Sequence, residues 1–346
     1  ITGNLGNDII SSGAGDDSIT ADTGDSINAG SGNDTIVFDT QSTQSAFCNA
    51  TIIGGAGIDD SVTLPIGDGH IVNSLTITDT DGINLHLSSV DADNITLTTG
   101  TTATLDGFSG SDVLIVPSNA SANVILPSSW TANSSSVVTA NARATFKPTS
   151  SLTLNLTNIT GYGSLTVDAS SASGAVTVTG GATSTSIVGS SGNDVITGGV
   201  GADTILGGSG ADTINGGNGD SIDAGEGIDS IIFAATTFSA TVDGGIGADQ
   251  ITLNTTSANT VTLNIPDTDG ILITGGGVVD QITFSAPTLV TTTINGGLGT
   301  DTITLGNFTN ALSVNDSTMS ITGGTGNDAI TFLAPTDATD TVKSGL

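Results

Sequence analysis

The chain of 346 residues has almost no cations. Lys and Arg total three, at Arg143, Lys147 and Lys343, against 34 acidic residues and a formal net charge of −31. Binding a phosphate backbone needs clustered Lys and Arg, so nucleic acid is excluded as a partner. Anionic lipid surfaces are disfavoured for the same reason. Glutamate is scarce too: Glu226 is the one Glu and all other acids are Asp. With Lys, Arg and Met so few, the helix-favouring residues are largely missing and a helical protein is not expected. A lone cysteine, Cys48, rules out an intramolecular disulfide and a four-thiolate zinc site, and reads as a small semi-buried residue. No apolar run approaches the roughly 18 residues of a membrane-spanning helix. The chain opens at Ile1 with no basic leader, as expected of a mature or excised piece of something longer.

What fills the space is glycine, 49 residues of it, with Thr, Ser, Asn and Ile, a composition suited to short strands joined by tight turns. Hydrophobic residues make up 36% and mean hydropathy is +0.23, so there is apolar material to bury and the chain should fold.

Self-similarity organises that composition. In Ser12-Gly13-Ala14-Gly15-Asp16-Asp17-Ser18-Ile19-Thr20 the order is small-Gly-x-Gly-x-Asp-x-Ile-x, and the nine residues before it place Asp8 and Ile10 identically. The period continues through Asp25 and Ile27 with one residue deleted, then recovers at Asp34 and Ile36. From Gly189 the same grammar returns at Asp194, Asp203, Asp212, Asp220 and Asp229, each two residues before Ile196, Ile205, Ile214, Ile222 and Ile231. Glycine turns the chain sharply with its carbonyls inward, and the Asp adds a short carboxylate. Ca²⁺ wants six to eight oxygens at about 2.3 to 2.6 Å, which such carbonyls and carboxylates supply. The x-Ile-x that follows is a short strand with its middle side chain inward. One such unit cannot bury its Ile alone, so neighbours must stack.

These units resemble the glycine-rich nonapeptide G-G-x-G-x-D-x-U-x of RTX (haemolysin-type) calcium-binding proteins, and Gly207 to Asn215 matches it at every position. Isolated units recur at Gly54 to Asp59, Gly244 to Asp249, Gly296 to Asp301 and Gly323 to Asp328. The resemblance implies an all-β fold: calcium-binding parallel β-roll segments alternating with further β-solenoid or β-sandwich segments, elongated and almost without helix. It implies several Ca²⁺ ions, with Asp8, Asp17, Asp25, Asp34, Asp59, Asp194, Asp203, Asp212, Asp220, Asp229, Asp249, Asp301 and Asp328 as metal ligands. If two units make one coil, as in that family, the stacked pairs are Asp8 with Asp25, Asp17 with Asp34, Asp194 with Asp212, Asp203 with Asp220, and Asp212 with Asp229. Without metal those carboxylates repel, so folding should be coupled to calcium.

The deletion falls at the same place in both arrays, before Ala29-Gly30 and before Ala224-Gly225. Ile36-Val37-Phe38 answers Ile231-Ile232-Phe233, and Asp79-Thr80-Asp81-Gly82 answers Asp267-Thr268-Asp269-Gly270, so a module of about 185 residues occurs nearly twice. The segments expected are an array over 1–62, strands over 63–118, an irregular or β spacer over 119–185, a second array over 186–252, and strands with isolated repeat-like turns over 253–346. The stretch from Asn119 to Lys147, with Pro127 and Trp130, reads as the least regular part, a linker or protruding loop.

Nothing in the chain reads as catalytic. His70 and His86 lack a His-Glu-x-x-His setting and read as surface or edge histidines; no G-x-S-x-G elbow occurs. Asp-x-Asp-Gly at Asp79 and Asp267 opens like an EF-hand loop but lacks the later ligands, and reads as a tight turn. Asn133, Asn155 and Asn158 head Asn-x-Ser/Thr triplets of the kind that abundant Ser and Thr supply by chance. The chain most resembles the calcium-binding portion of a bacterial surface-layer or cell-surface matrix protein with RTX repeats, and that resemblance implies a non-enzymatic, calcium-dependent structural protein of the bacterial cell surface, exported by a type I-like route. Its partner would be copies of itself in an S-layer or extracellular matrix, and cell-surface polysaccharide through a region outside this chain; no membrane insertion is expected. The alternatives are the calcium-stiffened stalk of a large adhesin, or the repeat region of a secreted toxin or hydrolase whose catalytic domain lies elsewhere.

Overall fold

The computed structural model describes residues 1–4, 6–22, 24–38, 47–56, 60–63, 72–79, 82–87, 92–108, 112–132, 135–161, 163–254, 257, 260–264, 271–275, 280–284, 292–295, 301–304, 311–314, 319–322, 329–332 and 341–343. Every regular element among the described residues is a β-strand. The chain divides into two units, Ile1–Ala172 and Ser173–Leu346.

Each unit is a parallel solenoid whose strands stack mainly in two facing sheets; in the first unit Trp130–Thr131 and Thr153–Asn155 pair with each other outside both. In the first unit one sheet stacks Ile9–Ser11, Ser26–Ser31, Phe47–Ala56, Val72–Thr78, Ala92–Leu97, Val113–Val116 and Val137–Val138. The other stacks Ser18–Ala21, Thr35–Phe38, Asp60–Thr63, Ile83–His86, Thr102–Asp106, Ser121–Leu126, Arg143–Pro148 and Ser164–Asp168. In the second unit one sheet runs from Thr185–Val188 through Thr204–Ser209, Ser221–Glu226, Thr237–Asp243 and onward to Thr341–Lys343. Its partner runs from Thr177–Thr179 through Val195–Thr197, Thr213–Gly216, Ser230–Phe233 and Asp249–Thr252 to Ala329–Phe332.

The register follows from side-chain alternation. Strands such as Ser26–Ser31 alternate, burying Ile27 and Ala29 and leaving Ser26 and Asn28 outside. A slip of one residue would turn the apolar set outward, so the columns are strictly kept. Ile10, Ile27, Ile52 and Ile77 stand opposite one another, and so do Ile19, Ile36, Val62 and Leu85. All nine isoleucines of the two arrays are buried.

The aspartates form a second column beside each isoleucine column, two residues earlier in the strand. Asp17, Asp34 and Asp60 share one, and the same register position continues upward as Ile83, Ala103, Ala122, Ala144 and Leu165. Likewise Asp8 and Asp25 are succeeded by Ala50, Leu75 and Ile95. One solenoid position is thus filled by carboxylates at the array end and by apolar side chains further along.

The stretch from Asn119 to Lys147, read from sequence as a linker or loop, holds the strands Ser121–Leu126, Trp130–Thr131, Val137–Val138 and Arg143–Pro148. Trp130 is buried with its ring edge-on to Phe108, centroids 5.1 Å apart, and stacked on Phe146 at 5.4 Å. Its indole N–H donates to the Asp112 carbonyl at 3.3 Å. Asn119 and Asn141 take left-handed φ values of 61° and 65°, beside turns closed by Ala120 N–H to Pro117 O and Ala142 N–H to Thr139 O. Prolines and asparagines that look like loop signals are here the corners between strands.

Candidate metal centre

The site begins with the corner that precedes each short strand. Gly30 and Gly55 have φ of 102° and 108°. They lie one above the other and above Gly13, so close that a Cβ on Gly30 would strike the Gly13 carbonyl and one on Gly55 the Gly30 carbonyl. Glycine is required there by both the left-handed backbone and the coil spacing. The chain then turns inward and delivers the aspartate.

The aspartates are linked coil to coil. The N–H of Asp8 donates to Asp25 Oδ1, that of Asp17 to Asp34 Oδ1, and that of Asp34 to Asp60 Oδ1, each at 2.8 Å. In the second unit Asp194 donates to Asp212, Asp203 to Asp220, Asp212 to Asp229 and Asp229 to Asp249, over 2.7 to 2.9 Å. Asp280 donates to Asp301 at 2.7 Å. Every pair expected from two units per coil is brought together.

The second carboxylate oxygen separates these residues into two groups. Oδ2 of Asp8, Asp17, Asp34, Asp60, Asp203, Asp212 and Asp229 is buried with no hydrogen-bond partner. An ionised carboxylate is acceptor-only, and burying it without a donor or cation costs several kcal/mol. Asp25, Asp194 and Asp220 are different. Asp25 Oδ2 accepts the N–H of Asp22 at 2.9 Å, and Asp220 Oδ2 accepts that of Gly217 at 2.6 Å. Asp194 Oδ2 accepts the N–H of Ser190 at 2.6 Å while the Ser190 hydroxyl donates to Oδ1. Asp25 and Asp220 are the aspartates of the two shortened units. In these two shortened units a backbone N–H three residues earlier takes the oxygen that the full-length units leave open, Asp194 apart, where Ser190 four residues earlier takes it.

Glycines at the first position of the motif mark where the open oxygens point. A Cβ on Gly207 would stand 2.6 Å from Asp212 Oδ2 and nearer still to the carbonyl oxygen of Ala224 on the next coil; Gly198 likewise faces Asp203 Oδ2 at 2.6 Å. Carboxylate and carbonyl oxygens therefore converge on space kept clear of side chains. That donor set, hard oxygens with orphaned negative charge, fits Ca²⁺. Among the described residues no three His, Cys, Asp or Glu side chains gather at one point, as expected where main-chain carbonyls complete the ligand shell.

Electrostatics agree. Burial, partly offset by the donated N–H, pushes Asp60 and Asp203 up to about 6 and Asp212 up to about 7. Neighbouring carboxylates add to the rise: Asp79 and Asp34 around Asp60, Asp220 beside Asp203, and Asp194 and Asp229 beside Asp212. Asp229 is raised by burial as well.

Of the aspartates expected as ligands, Asp59 and Asp328 lie outside the described residues. The column position after Asp34 belongs to Asp60, which sequence spacing passed over because one inserted residue shifts it; the signal was Asp60-Ser61-Val62, with buried Val62 two residues on. Asp280 was passed over too, since its Asp-x-Ile lacks the preceding Gly-x-Gly-x. His86 sits half-exposed at the surface, as read, 3.7 Å from Asp106.

A parallel solenoid whose corners carry stacked, buried carboxylates is a metal-binding β-roll. The family of the RTX calcium-binding nonapeptide repeat matches residues 1–25, 24–41, 179–214, 188–222 and 293–312, less than half of the chain. No curated protein and no solved structure matches it. The chain carries RTX repeats and takes up several Ca²⁺ ions through them. Such repeats are typical of secreted extracellular proteins. No helix among the described residues is long and apolar enough to cross a membrane.

Proposed function

We propose that this chain is the calcium-dependent structural portion of a bacterial cell-surface protein that assembles with copies of itself into an S-layer or extracellular matrix. The observation that carries the calcium half is the set of buried Oδ2 atoms without donors in both arrays. Each is a charge the fold tolerates only when a cation or proton accompanies it. Asp8, Asp17, Asp34, Asp203, Asp212 and Asp229 would hold the ions with the turn carbonyls, and the ions supply the attraction that locks one coil to the next. Millimolar extracellular Ca²⁺ suits weak modules of this type.

Support for assembly is chemical. Outward strand positions are mostly Ser, Thr and Asn, with scattered apolar residues such as Ile9 and Val37; cations are nearly absent, and a net charge of −31 makes ions and hydroxyls the main bonds available between copies. Among the described residues no side-chain constellation for chemistry accompanies them; the role proposed is structural, and the place proposed is outside the cell. Electron microscopy in millimolar Ca²⁺ and in EGTA tests this reading. Lattices or filaments that form with calcium and dissolve without it are expected; monodisperse particles in both would refute self-assembly and leave an adhesin stalk as the better reading.

A further inference from the structure

We propose that Asp60 and Asp79 form a divalent-cation site of their own over Gly54, in the part of the chain that lies outside the matched repeats. The proposal rests on the calcium reading of the arrays and extends it to a corner built differently.

Gly54 is the starting point. Left-handed φ belongs to its neighbour Gly55, and Gly54 itself has a backbone that any residue adopts. Its lack of a side chain answers to space. A Cβ there would stand 2.7 Å from Asp60 Oδ2 and closer still to Asp79 Oδ2. Two carboxylate oxygens from successive coils therefore converge on one point. At Gly207 the equivalent point is met by one carboxylate, Asp212, and one neutral carbonyl, that of Ala224. At Gly54 a second carboxylate replaces the carbonyl.

Both carboxylates are held in place. Asp60 is fully buried, its Oδ1 accepts the Asp34 N–H at 2.8 Å, and its Oδ2 meets no N–H donor and faces the Asp79 carboxyl instead. Asp79 is also buried. Its Oδ1 accepts the Gly82 N–H at 2.9 Å, and its own N–H donates to Thr101 Oγ1 at 3.2 Å. The pairing of Ile53 with Thr78 sets Asp79 opposite Gly54. Asp79, directly after that strand, thus sends its carboxylate inward against the previous coil. Two buried anions pointed at one spot repel unless something positive sits between them. A hard divalent cation of the Ca²⁺ class fits an all-oxygen pair, and the greater ligand charge makes this site tighter than those of the arrays. The rival occupant is a single proton shared by the two carboxyls.

Equilibrium dialysis of the full chain against Ca²⁺ alone, with bound metal counted per chain, decides between them. D79N should bind one ion fewer than wild type, with the tightest class weakened about tenfold or more. G54A, whose methyl group fills the point of convergence, should do the same. D212N should lose array ions and keep this one. The double variant D60N/D79N removes both charges, so it should fold even where a single substitution does not, as strand circular dichroism checks, and it too should lack one ion. Variants at Asp79 and Gly54 that keep the wild-type number and affinity would overturn the site and leave the shared proton. Were wild type to bind no calcium, the array reading would fall as well; were only D212N to lose ions, this site alone would fall.

Discussion

Two stretches of the first unit use the same register position in opposite ways. At Asp17, Asp34 and Asp60 it is a buried carboxylate, and at Ala103, Ala122 and Ala144 a buried methyl group. Around the first group the chain turns on Gly-x-Gly; around the second it turns on Asn119 and Asn141 and packs Trp130 between Phe108 and Phe146. The coil geometry persists through the change. What differs is the source of cohesion: ions between charged corners in one, ordinary apolar packing in the other. A solenoid of this kind can therefore be conditional on calcium over part of its length and unconditional over the rest.

The largest expected effect comes from removing the metal. In EGTA, amide hydrogen exchange should lose protection over residues 8–38 and 194–233 while Ser121–Leu126 and Arg143–Pro148 stay protected; uniform loss would erase the contrast between the two stretches. Next, Trp130→Ala should cost about 3 to 5 kcal/mol of stability in the segment around it, equally with and without calcium, by denaturant titration followed with exchange. Writing a carboxylate into the dry column by Ala122→Asp should cost a similar amount, about 3 to 5 kcal/mol, with no rescue by calcium, because the corner before it turns on Asn119 and lacks the Gly-x-Gly of the arrays.

Acidity sharpens the comparison from the other side. The folded pKa values of Asp60, Asp203 and Asp212 stand near 6 to 7, above the ordinary value of 3.8. These groups support the metal-free fold fully below about pH 4, where they are protonated in either state, and that support is lost as pH rises through 6 to 7. Metal-free arrays should show more strand circular dichroism at pH 5 than at pH 8. Calcium competes with the same protons, so the Ca²⁺ needed for half-saturation should fall as pH rises over that window and level off above it. The smallest effect belongs to the shortened units: Asp25→Asn and Asp220→Asn should weaken calcium binding less than Asp34→Asn and Asp203→Asn. Their Oδ2 already takes a backbone N–H. Equal losses from all four would mean that metal displaces those turn bonds.

Much of this was legible in one dimension because a solenoid writes its third dimension as a period. Asp and Ile at fixed spacing announce both columns, and two units per coil pair Asp8 with Asp25 as found. Legibility fails where the period slips. An inserted residue hid Asp60 behind Asp59, and Asp79 lies 25 residues beyond Gly54 with nothing local to link them. Trp130 and its prolines resembled a loop because turn residues at solenoid corners look the same as turn residues in a linker, and Phe108 and Phe146 are each well separated from Trp130 along the chain.

The sequence by itself determined the class of fold and the chemistry. Few cations, many aspartates and glycine turns on a nine-residue period leave little but a calcium-binding roll, since each unit can neither bury its isoleucine nor neutralise its carboxylate alone. Only the tertiary structure decided which oxygens await a cation and which are already bonded. That depends on which N–H of the coil stands within hydrogen-bonding reach of each Oδ2, a matter of tenths of an ångström in turn geometry that residue spacing does not encode.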